Sequence, residues 1–343
     1  MRVLIAGLAQ EREFHAGYYY LLEELSKQED VRFYSDFDAR RKLLPLDSKV
    51  ELFTRGNWFL GKCLHRASKK LGVKKRITGL KRAVRAFDPD VVLVRLNSFF
   101  SQLDFHDCSF ISCPKVYLIA DIHLWHKKQL DCIRRSDFDL VLFVYRFWMD
   151  KIKEKLDNRV GWLPHSVNPK VFKDNGTRSF DVISSGHRYP SDYPLRALIY
   201  RYLHHNGDKI TFSMPCHPQM TMNKRISRNS CMIRGNYARF LASGKLFAFG
   251  SSNRNYPVAK YVEGMASGSL VLAPKPEDAD ELGFVDGKNF VEINKNNFVE
   301  KIRYYLKNEE ERQNIVNNAS KLVLEHHTTE KRTTQLINFL HEL

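Results

Sequence analysis

Three groups of residues have the types and spacing for chemistry. In the first half, Asp121 ends the apolar run KVYLIAD (115–121), and His123 follows two residues later. An acid and an imidazole just past the carboxyl end of a parallel strand stand where open α/β sheets bind ligands. Either can serve as a general base, and the other reading is that Asp121 caps the next helix. In the second half, DVISSG (181–186) brings Gly186 to a strand end, followed by Arg188 and then, inside the next predicted helix, Arg196. A glycine between a strand and a helix N-terminus, with arginines beside it, suits a pyrophosphate: backbone N–H groups and the helix dipole favour an anion, and the guanidinium groups add charge. The third group lies in YPVAKYVEGMASGSLVLA (256–273), which reads as a helix carrying Glu263, a Ser267-Gly268 break and a buried strand. From position alone, Glu263 reads as a solvated helix residue.

The elements that must position these residues follow from apolar patterning. Arg2–Leu8 is a first strand with Gly7 at its end, followed by a helix over 15–28 and strands over 31–34, 91–95, 115–121 and 139–144. The segment 35–60 has no clear period. A basic stretch forms a helix to Phe87, broken by Asp88-Pro89-Asp90. WLPHSVNP (162–169), with two prolines, marks a linker. The pattern then restarts with strands over 181–186, 209–214, 245–249, 269–273 and 290–293. Helices are expected from 193 or 194 to 205 and over 237–243, 297–307, 309–326 and 330–343. In the helix around Glu263, Val258, Tyr261, Val262 and Met265 share a face, and Pro257 suits its first turn. Strands alternating with helices predict an α/β chain of two doubly wound parallel sheets. The domains are expected at 1–163 and 179–328, joined by a linker over 164–178, with a helix over 329–343 packing back towards the first domain.

Composition narrows the partners. Lys and Arg exceed Asp and Glu by 16, and ten of them, with no acid, lie between Gly61 and Arg85. Such a run is either a solvated helix face or a surface for an anion, with Lys69, Lys70, Lys74, Lys75 and Arg76 at its centre and Phe53, Trp58 and Phe59 nearby. No G-x-G-x-x-G points to a nicotinamide-type dinucleotide. Asp137-Phe138-Asp139 precedes its strand, the wrong end of a sheet for a metal-bound nucleotide sugar. The six cysteines show no zinc spacing and are read as reduced thiols, so no metal site is expected. No apolar run approaches the ~20 residues of a membrane span. With no signal-peptide pattern, a cytoplasmic protein is expected, peripheral at the inner face of a membrane if the basic run docks there.

The segment KLFAFGSSNRNYPVAKYVEGMASGSLVLA, continuing through ELGFVDGKNFVEI, resembles the donor-binding half of GT-B glycosyltransferases, and most closely the spore-maturation (CgeB-type) glycosyltransferase-like group. WLPHSVNPKVF resembles that group's linker. The resemblance covers most of residues 160–325 and is weaker over 1–150. A second, weaker resemblance is to phage DNA β-glucosyltransferases: KVYLIADIHLW to the strand ending in their catalytic aspartate, DVISSGHRYPSDYPLR to their diphosphate segment, and VEGMAS to their ribose-binding glutamate. The GT-B resemblance implies two Rossmann-like domains facing across a cleft and transfer of a sugar from a nucleotide-diphosphate sugar, most commonly UDP, without a tightly bound cofactor or essential metal. The phage-enzyme resemblance implies, residue by residue, Asp121 as base, Gly186, Arg188 and Arg196 around the diphosphate and Glu263 on the ribose hydroxyls; His123 is the alternative base, Gly7 is a further donor-site candidate, and Arg254 and Lys260 flank the glutamate as candidates to touch phosphate. Retaining relatives often carry a glutamate eight positions before the ribose glutamate; Asn255 stands there in this chain, which counts against a retaining mechanism. The basic run fits an anionic acceptor, either a surface glycan or lipid-linked precursor or, as an alternative, DNA with a modified base. A non-catalytic binding or scaffold protein is the remaining alternative.

Overall fold

A computed structural model describes residues 1–7, 16–35, 44–45, 80–95, 108–119, 126–215 and 234–343. The chain divides into two units. One comprises Met1–Glu13, Leu22–Pro164 and Thr333–Leu343, and the other Phe14–Leu21 and His165–Arg332.

In the first unit, β1 (Arg2–Gly7), β2 (Asp30–Ser35), β3 (Leu44–Pro45), β4 (Val91–Arg95), β5 (Lys115–Ile119), β6 (Leu140–Phe143) and β7 (Arg159–Trp162) form one sheet in the order β3-β2-β1-β4-β5-β6-β7. All neighbours are parallel except β3, which runs against β2. The near-continuous apolar runs RVLIAG, VVLVR, KVYLI and LVLF belong to strands covered on both faces. Val3 to Ala6, Val91 to Val94, Val116 to Ile119 and Leu140 to Phe143 are all buried. Helices α1 (Ala16–Gln28), α2 (residues 80–87), α3 (His126–Ser136) and α4 (Arg146–Ile152) fall between these strands. Asp88 stops α2 with a positive φ of 49°, and both Asp88 and Asp90 bind the Arg2 guanidinium. Sequence reading missed β7 because RVGW carries only two apolar side chains. Its Gly161 is required by packing: a Cβ there would lie 2.8 Å from the Phe339 ring. Gln335 donates to the Trp162 carbonyl at 2.8 Å, Arg159 pairs with Glu342, and His341 reaches Glu29 at 3.3 Å. The C-terminal segment is thereby fastened to the last strand of this sheet.

The second unit holds β8 (Phe180–Ile183), α5 (Pro194–His205), β9 (Phe212–Ser213), α6 (Arg234–Ala242), β10 (Gly244–Ala248), α7 (Lys260–Ala266), β11 (Leu270–Ala273) and β12 (Val291–Glu292). Helices α8 (Phe298–Lys307) and α9 (Glu309–His326) follow, and α10 (Thr329–His341) starts in this unit and belongs to the first unit from Thr333 on. The sheet is wholly parallel, in the order β12-β11-β10-β8-β9. From β8 the chain crosses to β9 at one edge, whereas from β10 it crosses to β11 on the other side. The strand order therefore reverses between β8 and β10, and that junction leaves a crevice at their carboxyl ends.

Two local expectations are corrected. Pro257 does not open α7: the helix starts at Lys260, and Tyr256–Ala259 form turns instead, with Val258 N bonded to Tyr256 O and Tyr261 N to Val258 O. Glu263 is also no solvated residue. It is 4% exposed, because α7 lies on β11 with α6 and α9 packed over it, and Tyr261 to Met265 are all buried. A seven-residue helix is too short to hold itself in water. What fixes α7 is the ring cluster around Tyr261, with Phe249, Phe284 and Phe290 at centroid distances of 5.0, 5.5 and 6.3 Å. Such pairs add about 0.5–1.5 kcal/mol each beyond area burial. Gly268, at φ +75°, then reverses the chain into β11, as the Ser-Gly pair predicts.

Candidate functional site

The crevice at the β8/β10 switch point gathers four of the residues singled out from the sequence. Past the end of β8, Gly186 adopts φ +105°, a conformation that glycine alone takes without strain. It also stands where no side chain fits: a Cβ would lie 2.5 Å from Arg196 Nη1 and 2.7 Å from Lys260 Nζ. Arg196, in the first turn of α5, and Lys260, opening α7, thus converge on the glycine from two helices. Glu263 follows Lys260 by one turn of α7.

Arg196 braces this crevice. It is 4% exposed, and its guanidinium donates from Nη1 to the His187 carbonyl at 2.8 Å and from Nη2 to the Gly250 carbonyl at 2.5 Å. His187 follows β8 and Gly250 follows β10, so one side chain ties the two lips together. Tyr193 stacks on it, with the guanidinium 4.2 Å from the ring centroid. Burial pulls its pKa down to about 10. Lys260 Nζ donates to the Ser185 carbonyl at 2.6 Å and to Ser185 Oγ at 3.0 Å, and Ser185 Oγ meets the Tyr237 hydroxyl at 2.9 Å. Burial, with the Arg196 cation as a second cause, holds the Lys260 amine well below its ordinary pKa, while Glu263 pulls the other way. Burial pushes the Glu263 carboxyl up to about 7 against the opposing effect of Lys260. Tyr237 is raised by burial and by Glu263.

The other predicted positions are placed differently. Arg188 turns to the end of β9, donating to the Met214 carbonyl at 3.1 Å and lying over the Tyr200 ring at 4.4 Å. Arg254 is exposed, without a side-chain bond to the cluster among the described residues. Asn255 has φ +54° and holds a turn: it accepts from Ser251 Oγ at 3.0 Å and donates to the Lys275 carbonyl. A neutral, loop-bracing amide thus occupies the position eight before Glu263. Gly7 closes β1, in register with Ser35 and Arg95. Asp121, His123 and the basic positions Lys69, Lys70, Lys74, Lys75 and Arg76 lie outside the described residues. Among the described residues no cluster of His, Cys, Asp and Glu could hold a metal ion, and no helix is long and apolar enough to cross a membrane.

Sequence reading missed Ser185, Tyr237 and Gly250. Ser185 stood inside the DVISSG run beside the chosen glycine. Tyr237 and Gly250 carried no local signal, since they matter through what other elements bring to them.

The arrangement can bind an anion with vicinal hydroxyls. A guanidinium and an amine flank a glycine-floored crevice, and a buried carboxyl stands one helical turn away. A carboxylate in its ionised form can accept from two neighbouring hydroxyls.

Residues 175–338 match the family model described as Glycosyl transferase-like. No curated protein matches the chain. Among solved structures, sucrose-phosphate synthase from Thermosynechococcus elongatus is similar at TM-score 0.67 and 8% identity, covering 100% of this chain and 99% of that one. Anabaena HepE, solved in complex with UDP and glucose, is similar at TM-score 0.66 and 14% identity over 100% of both chains. A glycosyltransferase from Rickettsia africae is similar at TM-score 0.61 and 12% identity, covering 99% of this chain and 98% of that one. At such identities the likeness establishes architecture, and it does so over the whole length. The chain has the GT-B fold of two Rossmann-like α/β domains, and its second half carries a glycosyl transferase-like sequence.

Proposed function

We propose that the protein is a glycosyltransferase that moves a sugar, a hexose or a close relative, from a UDP-sugar to a hydroxyl of an anionic acceptor. The acceptor in this reading is a cell-surface glycan or lipid-linked precursor, reached at the inner face of a membrane. The observation that carries the proposal is the Gly186 crevice. It lies at the switch point of a parallel sheet, two basic side chains converge on it, and a buried carboxyl stands within a helical turn. The family match over this unit supports the reaction class. HepE, a neighbour over its full length, has been solved with UDP and with UDP-glucose.

In this mechanism the diphosphate rests on the Gly186 backbone. Lys260 is its nearest cation, and Arg188 and Arg254 lie on more exposed ground around it. Arg196 holds the crevice open by tying His187 to Gly250. Glu263 accepts from the ribose hydroxyls. As the sugar departs, charge grows on the diphosphate, and fixed cations stabilise it without reorganising. Asp121 takes the proton from the acceptor hydroxyl, His123 being the alternative base, and the sugar is inverted in a single displacement. Asn255 supports this reading, because an amide cannot replace the glutamate common in retaining relatives.

A thermal-shift series with UDP, GDP, ADP, CMP and their common sugar conjugates tests the proposal. At 100 times its dissociation constant a ligand adds about 2.7 kcal/mol of stability. The expected result is a shift with UDP that Glu263→Ala abolishes, while Asp121→Asn keeps the shift and loses turnover. No shift with any nucleotide would overturn the proposal.

A further inference from the structure

Lys260, half-buried, and Glu263, buried, are opposite in type and one helical turn apart, yet no ion pair joins them. The Lys260 amine is engaged by neutral partners, the Ser185 carbonyl and Ser185 Oγ. No described side chain bonds the Glu263 carboxyl. The groups that face them from neighbouring elements are Arg196 on α5, Tyr237 on α6 and the Phe249 ring after β10, with Ser185 itself at the end of β8. None of these is an acid, and Arg196 opposes a second positive charge. A buried ion without a counter-ion is strongly disfavoured, so both groups are driven towards their uncharged forms.

We infer that Glu263 and Lys260 share one proton, which sits on the carboxyl in the empty protein and on the amine when a nucleoside diphosphate is bound. The inference rests on the donor site proposed above. The proton balance is simple. The carboxyl gives up one proton and becomes the carboxylate that accepts from the ribose hydroxyls. The amine gains one and becomes the ammonium that the diphosphate requires. The nucleotide supplies both missing partners at once, an anion for the amine and donors for the carboxylate. Each change of charge is unfavourable alone and favoured when made together. Binding thus places a cation at the leaving group, and the empty site need not hold an uncompensated charge. The pKa directions agree, since burial depresses the amine and raises the carboxyl.

The inference is tested by calorimetric titration of the full chain with UDP in two buffers of different ionisation enthalpy, which counts protons exchanged on binding, across about pH 6–9. For the wild type, release and uptake offset each other up to about pH 7, where the carboxyl of the empty protein still holds its proton, and above that net uptake by the amine emerges. In Glu263→Gln the release is gone. Binding should take up close to one proton, and affinity should fall by about tenfold per pH unit as pH rises. In Lys260→Met the uptake is gone. Binding should release a proton, and affinity should rise with pH until the carboxyl is ionised in the free protein. Opposite signs in the two variants are the signature. A proton count that is the same in the wild type and both variants, with UDP still bound, would overturn the inference while leaving the donor site intact. Failure of UDP and every other nucleotide diphosphate to bind the wild type would overturn both. If a variant does not fold, an infrared difference spectrum of the wild type decides. Loss of a protonated-carboxyl band on adding UDP supports the shared proton, and an unchanged carboxyl region rejects it.

Discussion

Gly186 answers to two constraints, and each alone would exclude a side chain. Its φ of +105° is unfavourable for any residue with a Cβ, and that Cβ would meet Arg196 and Lys260 inside contact distance. Gly186→Ala should therefore destabilise the protein by about 1–3 kcal/mol, the range for strained backbone positions. It should also abolish the UDP-induced thermal shift, because the two cations must move. Denaturant unfolding with and without UDP measures both effects, and unchanged stability would show that the loop relaxes freely. The glycine and the arginines were legible in the sequence, since a strand end followed by Gly and Arg is a local pattern. The division of labour between them was not. Arg196 reads as a phosphate ligand in one dimension, but three-dimensional packing commits both Nη groups to carbonyls past the ends of two separate strands. Glu263 is the converse case. Nothing around it in sequence predicts burial, which comes from α6 and α9 covering a helix that local patterning treats as half exposed.

At the scale of elements, α9 and α10 meet at His327, which is 2% exposed. One ring nitrogen lies 2.9 Å from the Leu282 carbonyl and the other 3.1 Å from the Arg332 guanidinium. With Nε2 protonated to donate to the carbonyl and Nδ1 bare to accept from Arg332, the neutral ring satisfies both. Burial, and then Arg332, press its pKa down to about 4 from an ordinary 6.5. The unfolded chain therefore binds the proton more readily than the folded one. The contribution is complete above pH 6.5 and is lost as pH falls towards 4. Between pH 7 and pH 5 the wild type should lose about 2 kcal/mol of stability that His327→Gln does not lose. Urea unfolding of both proteins at the two pH values measures the difference, and equal losses would show that the ring titrates normally. The helices here were legible from their apolar period. Their junction was not, because a histidine flanked by threonines in EHHTTEK gives no sign that it will be sealed between a loop carbonyl and an arginine.

For the whole molecule, a charge excess of +16 concerns partners more than fold. If the basic run around Lys69 to Arg76 docks on an anionic membrane, the protein should co-sediment with vesicles containing anionic phospholipid at low salt. It should be released at about 0.5 M salt, where screening reaches only a few ångströms. Exchanging Lys69, Lys70, Lys74, Lys75 and Arg76 for Gln should abolish the association, since each basic residue near such a surface contributes about 1 kcal/mol. Binding to duplex DNA in place of vesicles would move the acceptor to nucleic acid. The two-unit α/β architecture was legible throughout, because buried parallel strands are written as short apolar runs. The C-terminal fastening to β7 was less so, for Gly161 declares its purpose only when the Phe339 ring is seen above it.

That fastening also sets a timetable for biosynthesis. The first sheet ends at β7, whose Gly161 is covered by Phe339, whose Trp162 carbonyl is held by Gln335, and whose Arg159 pairs with Glu342. Residues 165–332 must be translated before any of these partners exists. At about 5–20 residues per second, that interval lasts roughly ten to thirty seconds. The first unit, most of which leaves the ribosome before the second, is thus finished only after the second has been made. During the wait it presents an incomplete sheet margin, which makes it the natural client for chaperones on the nascent chain.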